Sequence, residues 1–386
     1  MKKLELRGAK ILDGGLTAPK GFHLYCNARS GLLLCDVFAA TAYYSAGNYL
    51  RGRSVKTAMI GGGKHTARAV LLSNCGGDVF QRGARDRAIT RVNYASDRLG
   101  VPASEVRPLF VGDPLGQPDD SLAMESIAEC AKSLLNGEST SLEAMDVQTY
   151  THSVQFYLGD DYPCRLSGAL ITDRSCPTTK TVLLLTTDVA ISAEYLNIAL
   201  HTQVRETFGL LPVPPSPNDG YMILSSGLAG NHEISERDVE FSKFCKALEY
   251  VLSWLCVDRI GRGKESNVLT FHVVGSVSKR LAWDVINNAY VYFSLEETKS
   301  ASILKGLFSC IGAVDAPIKK NKLRIWLQAG EERILLTDGG KILYVIEEAT
   351  QKLLQSSDAS IVIDFRQGNY SALGWIRKEN RKIFDF

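Results

Sequence analysis

Midway along the chain lies the run Thr181-Val182-Leu183-Leu184-Leu185-Thr186-Thr187-Asp188-Val189-Ala190-Ile191-Ser192. Thr181 to Thr186 is β-branched or aliphatic throughout, the pattern of a core strand buried on both faces. Ser192 then offers a side-chain oxygen to the free N–H groups of a helix over Ala193 to Phe208, which carries Leu196, Leu200, Val204 and Phe208 on one stripe. A doubly buried strand feeding an amphipathic helix calls for a mixed chain in which helices cover sheets.

The flanking sequence extends this pattern. Leu32 to Cys35 and Arg68 to Leu72 read as strands, and Val55 to Ile60 reads as another that leads into Gly61-Gly62-Gly63. A helix is predicted over Ala84 to Leu99 with a stop at Gly100, then a strand over Val106 to Val111. Asp119 or Asp120 caps a further helix ending before Gly137, and Val154, Phe156 and Leu158 alternate within strands between Thr149 and Leu170. The prolines from Pro212 to Pro217 exclude a helix or central strand there. Asp238 to Ile260 is predicted as a long helix closing at Gly261. Beyond it come a strand (Val268 to Val274), a helix (Lys279 to Asn287), a strand (Leu323 to Leu327), a meander turning at Asp338-Gly339-Gly340 and a final strand pair around Gly368-Asn369.

With 386 residues there is material for two or three structural units, and 45% hydrophobic residues suffice for a core without staples. Forty-four Lys and Arg against 42 Asp and Glu give no support to a nucleic-acid or membrane-surface partner. The two lysines after Met1 are followed by no apolar stretch, so no secretion signal is expected, and no apolar run approaches the ~20 residues that span a bilayer. A cytoplasmic protein is expected. The nine cysteines include no CxxC and the six histidines no HExxH, so free thiols and no metal are expected. No Walker A sequence, GxGxxG or GxSxG elbow is present, and Gly61-Gly62-Gly63 reads as a tight turn.

Several landmarks nonetheless fall in one order. Gly15-Leu16-Thr17-Ala18-Pro19-Lys20-Gly21-Phe22 opens the series, followed by Ala67 to Leu72, Gly100-Val101-Pro102, Thr186 to Ser192, Thr207-Phe208 with Ser216-Pro217-Asn218-Asp219, and Asp364 to Ala372. In this order the sequence resembles the bifunctional ornithine acetyltransferase / glutamate N-acetyltransferase (ArgJ-like) family. The resemblance implies an α/β (α+β) fold, the ornithine acetyltransferase / DmpA-like fold with a layered helix-sheet-sheet-helix core. It implies acyl transfer through a threonine freed when the precursor cuts itself. Residues 1–180 would form the N-terminal chain and 181–386 the C-terminal chain, packed intimately together. A small amino-acid-like substrate, no cofactor and a homo-oligomer (a heterotetramer once cleaved) complete the expectation.

Carried onto this sequence, the family's nucleophile motif matches Pro177-Thr178-Thr179-Lys180-Thr181, which assigns the nucleophile to Thr181 and the processed bond to Lys180–Thr181. Counting back from Thr186-Thr187-Asp188 instead puts Lys180 at the nucleophile position, and a one-residue shift in a strand exchanges its faces. A lysine there would make a stable amide. The freed α-amine of a threonine titrates near neutrality and serves as base. The family's oxyanion threonine-glycine corresponds to Val111-Gly112, so Gly112 is kept and the hydroxyl donor is lost; in a known protease, losing one such donor costs about 3 kcal/mol. Asn74, Arg174, Asn218 and Asp219 are the candidate substrate contacts, with Arg174 the cation nearest the place of the family's lysine.

Three alternatives accompany this reading. The chain could keep the family scaffold without chemistry and serve binding or assembly. It could hydrolyse amides in the same cleft. Cys176, close to the processing point, could act as a thiol nucleophile, although no histidine adjoins it in sequence.

Overall fold

The structure is a computed structural model that describes residues 4, 6–45, 53–60, 65–76, 83–111, 118–159, 162–172, 181–208, 219–260, 268–292, 300–315, 317–339, 341–343, 347–356 and 359–377. The fold is α+β. The chain divides into two compact units, the first formed by residues 1–209 and 213–255 and the second by 210–212 and 256–386.

In the first unit the strands are β1 (Lys10–Leu12), β2 (Phe22–Cys26) and β3 (Ser30–Ser45), followed by α1 (Arg53–Ile60), β4 (Thr66–Ser73) and α2 (Ala84–Leu99). Then come β5 (Val106–Phe110), α3 (Asp120–Leu135), β6 (Gln148–Leu158), β7 (Tyr162–Thr172), β8 (Thr181–Thr187), α4 (Ala193–Glu206), β9 (Gly220–Ser225) and α5 (Val239–Ile260). Capping chemistry sets several boundaries. Gly100, at φ 67°, closes α2 in the left-handed conformation that a Cβ disfavours. Asp119 accepts from the Leu122 N–H at 2.9 Å to open α3. Ser192 does the same for α4 through Tyr195. Val55 to Ile60, expected as a strand, is instead the body of α1; its buried Ser54, Val55 and Ala58 recur at helical spacing, which a six-residue apolar run does not reveal.

All nine strands join one sheet in the order β1-β6-β7-β8-β9-β3-β4-β5, with β2 also on β3. β3 serves two neighbourhoods: Gly31 to Cys35 pair with β2, and Ala40 to Ser45 pair with β9. Its pairing to β4 slips between Leu34 and Ala39, the kind of irregularity that bends a strand. The two halves of the sheet consequently face each other. Leu33, Val70, Leu72, Leu109 and Val111 from one half share a buried cluster with Ala169, Ile171, Val182, Leu184 and Met222 from the other. Each fully buried leucine in this layer is worth about 1.5–3 kcal/mol relative to an exposed one. The alternate residues Leu32, Ala69, Leu71 and Phe110 face outward and are covered by α2 and α3 through Ala88, Val92, Ile127 and Leu134. On the opposite outer face α5 covers β7 and β8: a Cβ on Gly168 would lie 2.8 Å from Val251, 2.9 Å from Leu255 and 3.2 Å from Leu185. Glycine at 168 lets this helix approach the sheet.

The second unit contains β10 (Val268–Ser276), α6 (Lys279–Tyr292), α7 (Ser300–Gly312), β11 (Arg324–Ala329), β12 (Glu332–Asp338), β13 (Lys341–Ile342), α8 (Glu347–Gln355), β14 (Ser360–Asp364) and β15 (Tyr370–Arg377). Its sheet runs β13-β12-β11-β14-β10-β15, around a core including Phe271, Val285, Leu307, Ile325 and Phe365. The expected final strand pair is not a pair. β10 lies between β14 and β15, parallel to the first and antiparallel to the second. The connection passes over the end of β10, where Phe365 N–H donates to Val274 and the N–H groups of Gln367 and Gly368 donate to Gly275. Among the described residues no helix is long and apolar enough to cross a membrane.

Candidate active site

The N-terminal end of β8 is where the sequence-predicted residues begin to converge. Thr181 pairs with Thr172 of β7. Val182 pairs in parallel with Gly220 of β9, and Asp219, 7% exposed, immediately precedes that glycine. Thr181 and Asp219 therefore occupy neighbouring strand ends, each one residue before a paired position. Lys180, Arg174, Gly112 and Asn218 lie outside the described residues, as do Cys176 and the side chain of Thr181.

Gly220 explains how the other half of the sheet reaches this end. A Cβ there would lie 2.5 Å from the Tyr43 hydroxyl oxygen and 3.6 Å from Leu109 Cδ2. Leu109 stands two residues before Val111, which shares the inter-sheet cluster with Val182. The exit of β5, toward Gly112, is thus brought to the same end of the layer as the start of β8. Gly220→Ala is expected to displace the Tyr43 ring and lower stability by about 1–3 kcal/mol, read from the urea midpoint. The double variant with Tyr43→Phe removes the colliding oxygen and should recover part of that loss; simple additivity would refute this account.

Val111 closes β5 with a side chain that carries no hydroxyl and a backbone N–H that is already committed. It is fully buried, and its N–H donates to Ser73 O at 2.8 Å, continuing the β4–β5 ladder. Any backbone oxyanion donor at this exit must come from residues after it. Asn74, at the neighbouring exit of β4, gives its amide N–H groups to Ala28 O at 3.0 Å and Asp146 O at 3.4 Å. That amide ties three loops together, and its buried Oδ1 has no partner among the described residues. The Thr172 hydroxyl, opposite Thr181, is likewise buried and has no partner among the described residues.

Sequence reasoning missed the aromatic residues on this end. Tyr43 belongs to the inter-sheet layer, while Tyr44 meets His201 of α4 edge-on at 4.9 Å and Tyr221 at 5.7 Å. His201 Nε2 lies 3.2 Å from Tyr43 O. Burial pushes its pKa down, with Arg205 adding in the same direction and the contact to Tyr43 opposing. The adjacent tyrosines in sequence were the only available signal, and alternate strand positions facing opposite ways is its physical content.

The far end of β8 is pinned by Asp188, whose carboxylate is fully buried. It accepts from Arg165 N–H at 2.7 Å and from Lys20 N–H at 3.2 Å, so the Gly15–Phe22 segment is anchored to the end of this strand. Desolvation pushes its pKa up, against the two backbone donors. None of the eight described cysteines is joined in a disulfide. Burial pushes the thiols of Cys130, Cys164 and Cys310 up to about 12 and that of Cys245 to about 11, so these are protonated at neutral pH and poor nucleophiles. No cluster of metal-ligating side chains occurs among the described residues.

The sequence profile of the ArgJ family matches residues 175–377, more than half of the chain. The chain belongs to the ArgJ family. It is 24% identical over 196 residues to the arginine biosynthesis bifunctional protein ArgJ of Caldanaerobacter subterraneus subsp. tengcongensis, an alignment spanning 49% of this chain and 48% of that relative. The ArgJ protein of Streptococcus thermophilus strain LMG 18311 is 24% identical across 95% of this chain and 96% of its own length. The glutamate N-acetyltransferase of Methanococcus vannielii is 22% identical across 94% and 93%. Among solved structures, the ArgJ protein of Bacillus halodurans covers 51% of this ArgJ-family chain and 92% of its own, at 20% identity and a TM-score of 0.43. The family profile includes β8, α4, β9 and the Pro177–Thr181 motif, and therefore the strand that organises the candidate site.

Proposed function

We propose that this chain is a diverged acyltransferase of the glutamate N-acetyltransferase / ornithine acetyltransferase type, with Thr181 carrying the acyl group between amino-acid-like substrates. The observation that carries the reading is the meeting of the Thr181 and Asp219 strand ends with the exit of β5. In this reading the chain first cleaves its Lys180–Thr181 bond, giving residues 1–180 and 181–386. The Thr181 hydroxyl oxygen then attacks the acyl carbonyl of the donor amide while its free α-amine takes the hydroxyl proton. Negative charge collects on the carbonyl oxygen, which the Gly112 N–H stabilises. The donor amine leaves with the proton, and the acceptor amine attacks the threonine ester to regenerate the hydroxyl. Asn74, Arg174, Asn218 and Asp219 are proposed to hold the substrates, and the layered first unit supports the DmpA-like form of the fold. The acyl group travels on the threonine itself, so the scheme calls for no cofactor.

A second reading has one specific observation in its favour. At the exit of β5 stands Val111, which has no hydroxyl and whose N–H is committed to Ser73 O. On this reading the chain keeps the family scaffold without acyl transfer. Intact-mass measurement and N-terminal sequencing of the purified full chain separate the two. The first reading expects a fragment beginning at Thr181. A single 42.3 kDa species unchanged on prolonged incubation would overturn it.

A further inference from the structure

We infer that Arg91 is a positioning residue for the oxyanion segment, one cation that fixes the exits of β4 and β5 together with the start of α3. The kinetic part of this inference rests on the acyl-transfer reading; the structural part does not. Arg91 lies on the buried face of α2, beside Ala88, Val92 and Ala95, where an aliphatic side chain would fill the same space. A cation in such a place is costly unless its partners are well placed. Here Nη1 and Nη2 both donate to Cys75 O, at 3.3 and 3.2 Å, just beyond β4. Nη2 also donates to Asp120 Oδ1 at 2.9 Å, on the first residue of α3. The guanidinium carbon sits over the Phe110 ring, 5.4 Å from its centroid, on the last residue of β5.

These partners share a geometric property. Ser73 and Phe110 are register partners at the ends of adjacent parallel strands, and Val111 N–H bonds Ser73 O. Phe110 ends β5, and Asp120 opens α3 ten residues later in the chain. Arg91 therefore grips both sides of this interval: Phe110 before it and Asp120 after it, with Cys75 holding the neighbouring strand exit. The Val111 N–H is already spent in the ladder, so the position of the next backbone donor depends on how rigidly β5 ends. Oxyanion donors work through preorganisation, and sub-ångström displacement is enough to weaken them. A planar fork whose cation also lies over an aromatic ring suits three partners on three elements; a lysine ammonium supplies charge without the fork's geometry.

The test compares the full-length chain with Arg91→Lys and Asp120→Asn by hydrogen exchange, and by acyl transfer from N-acetylornithine to glutamate. In both variants, peptides covering 73–76 and 108–111 are expected to exchange about tenfold faster or more, with β7 to β9 unchanged. Exchange that is unaltered, or accelerated uniformly through the first unit, would overturn the inference. Asp120→Asn alters a half-exposed partner, so it keeps the question answerable if Arg91→Lys does not fold. Where the parent transfers acyl groups, kcat should fall about ten- to a hundredfold with KM moving less than twofold; a raised KM at constant kcat would count against positioning. A parent that stays uncut and transfers none defeats the acyl-transfer reading, and the exchange pattern then decides the role of Arg91 alone.

Discussion

Thr181→Ala is expected to abolish acyl transfer, lowering kcat by about 10⁴-fold or more, and to leave the chain uncut. Removing a nucleophile eliminates the covalent route, and what remains is binding and oxyanion stabilisation. The same change should barely affect the urea midpoint, which separates loss of chemistry from loss of fold. Thr181→Ser keeps the hydroxyl and should retain cleavage and part of the transfer rate. Lys180→Ala is the complementary control. In the Thr181 register it alters the residue before the cut and leaves the nucleophile intact, so transfer should survive in processed material. If Lys180→Ala removes a measurable activity and Thr181→Ala does not, the strand is registered on Thr186-Thr187-Asp188 and the assignment moves by one residue.

The second large effect concerns stability. Asp188→Ala leaves the N–H groups of Arg165 and Lys20 without their acceptor and removes a buried side chain. A buried group left unpaired costs about 1–3 kcal/mol, and these two part-buried donors less, so with the lost side-chain packing the total should be about 2–5 kcal/mol in urea denaturation. Asp188→Asn keeps an acceptor oxygen and should lose less. Because burial raises the carboxyl pKa in the folded chain, the folded state binds a proton more readily than the unfolded state, whose aspartate titrates near the ordinary ~3.9. The Asp188 contribution is therefore most favourable below that ordinary value and is lost as pH rises through the raised folded value. Relative to Asp188→Asn, the parent should lose stability as pH climbs above the ordinary aspartate value; a flat difference would refute the assigned cause.

Where local rules act alone, the sequence is readable. α2 spans Ala84–Leu99 as expected because Gly100 provides its stop, and Asp119 and Ser192 cap the helices they were expected to cap. The reading fails where partners are distant. Val55 to Ile60 is too short for its apolar spacing to separate strand from helix. Two strands five residues apart look like a hairpin until β10 is found between them. At the candidate site, Thr181 and Asp219 could be matched to motifs, whereas Tyr43, Leu109, Thr172 and Arg91 acquire meaning only from contacts across the folded sheet. Asn74 was legible as a residue type, but its amide proves to be bound to Ala28 and Asp146. The Val111 N–H shows the same limit: its commitment to Ser73 depends on the pairing of β4 with β5, which no local pattern states.

The strand order also governs what severing the backbone can do. β8 lies between β7 and β9, and β9 in turn lies between β8 and β3. A cut between β7 and β8 leaves β8 and β9 on one fragment, wedged between two strands of the other. Pulling the fragments apart would break the pairing from Leu166–Thr187 to Thr172–Thr181 and that from Ala40–Ser225 to Ser45–Gly220. The two pieces then behave as a single particle until denatured, and each alone would present naked central strand edges that invite aggregation. Genes encoding the halves separately should therefore yield soluble protein only when expressed together, a complementation that follows from strand interleaving whether or not the chain ever cuts itself.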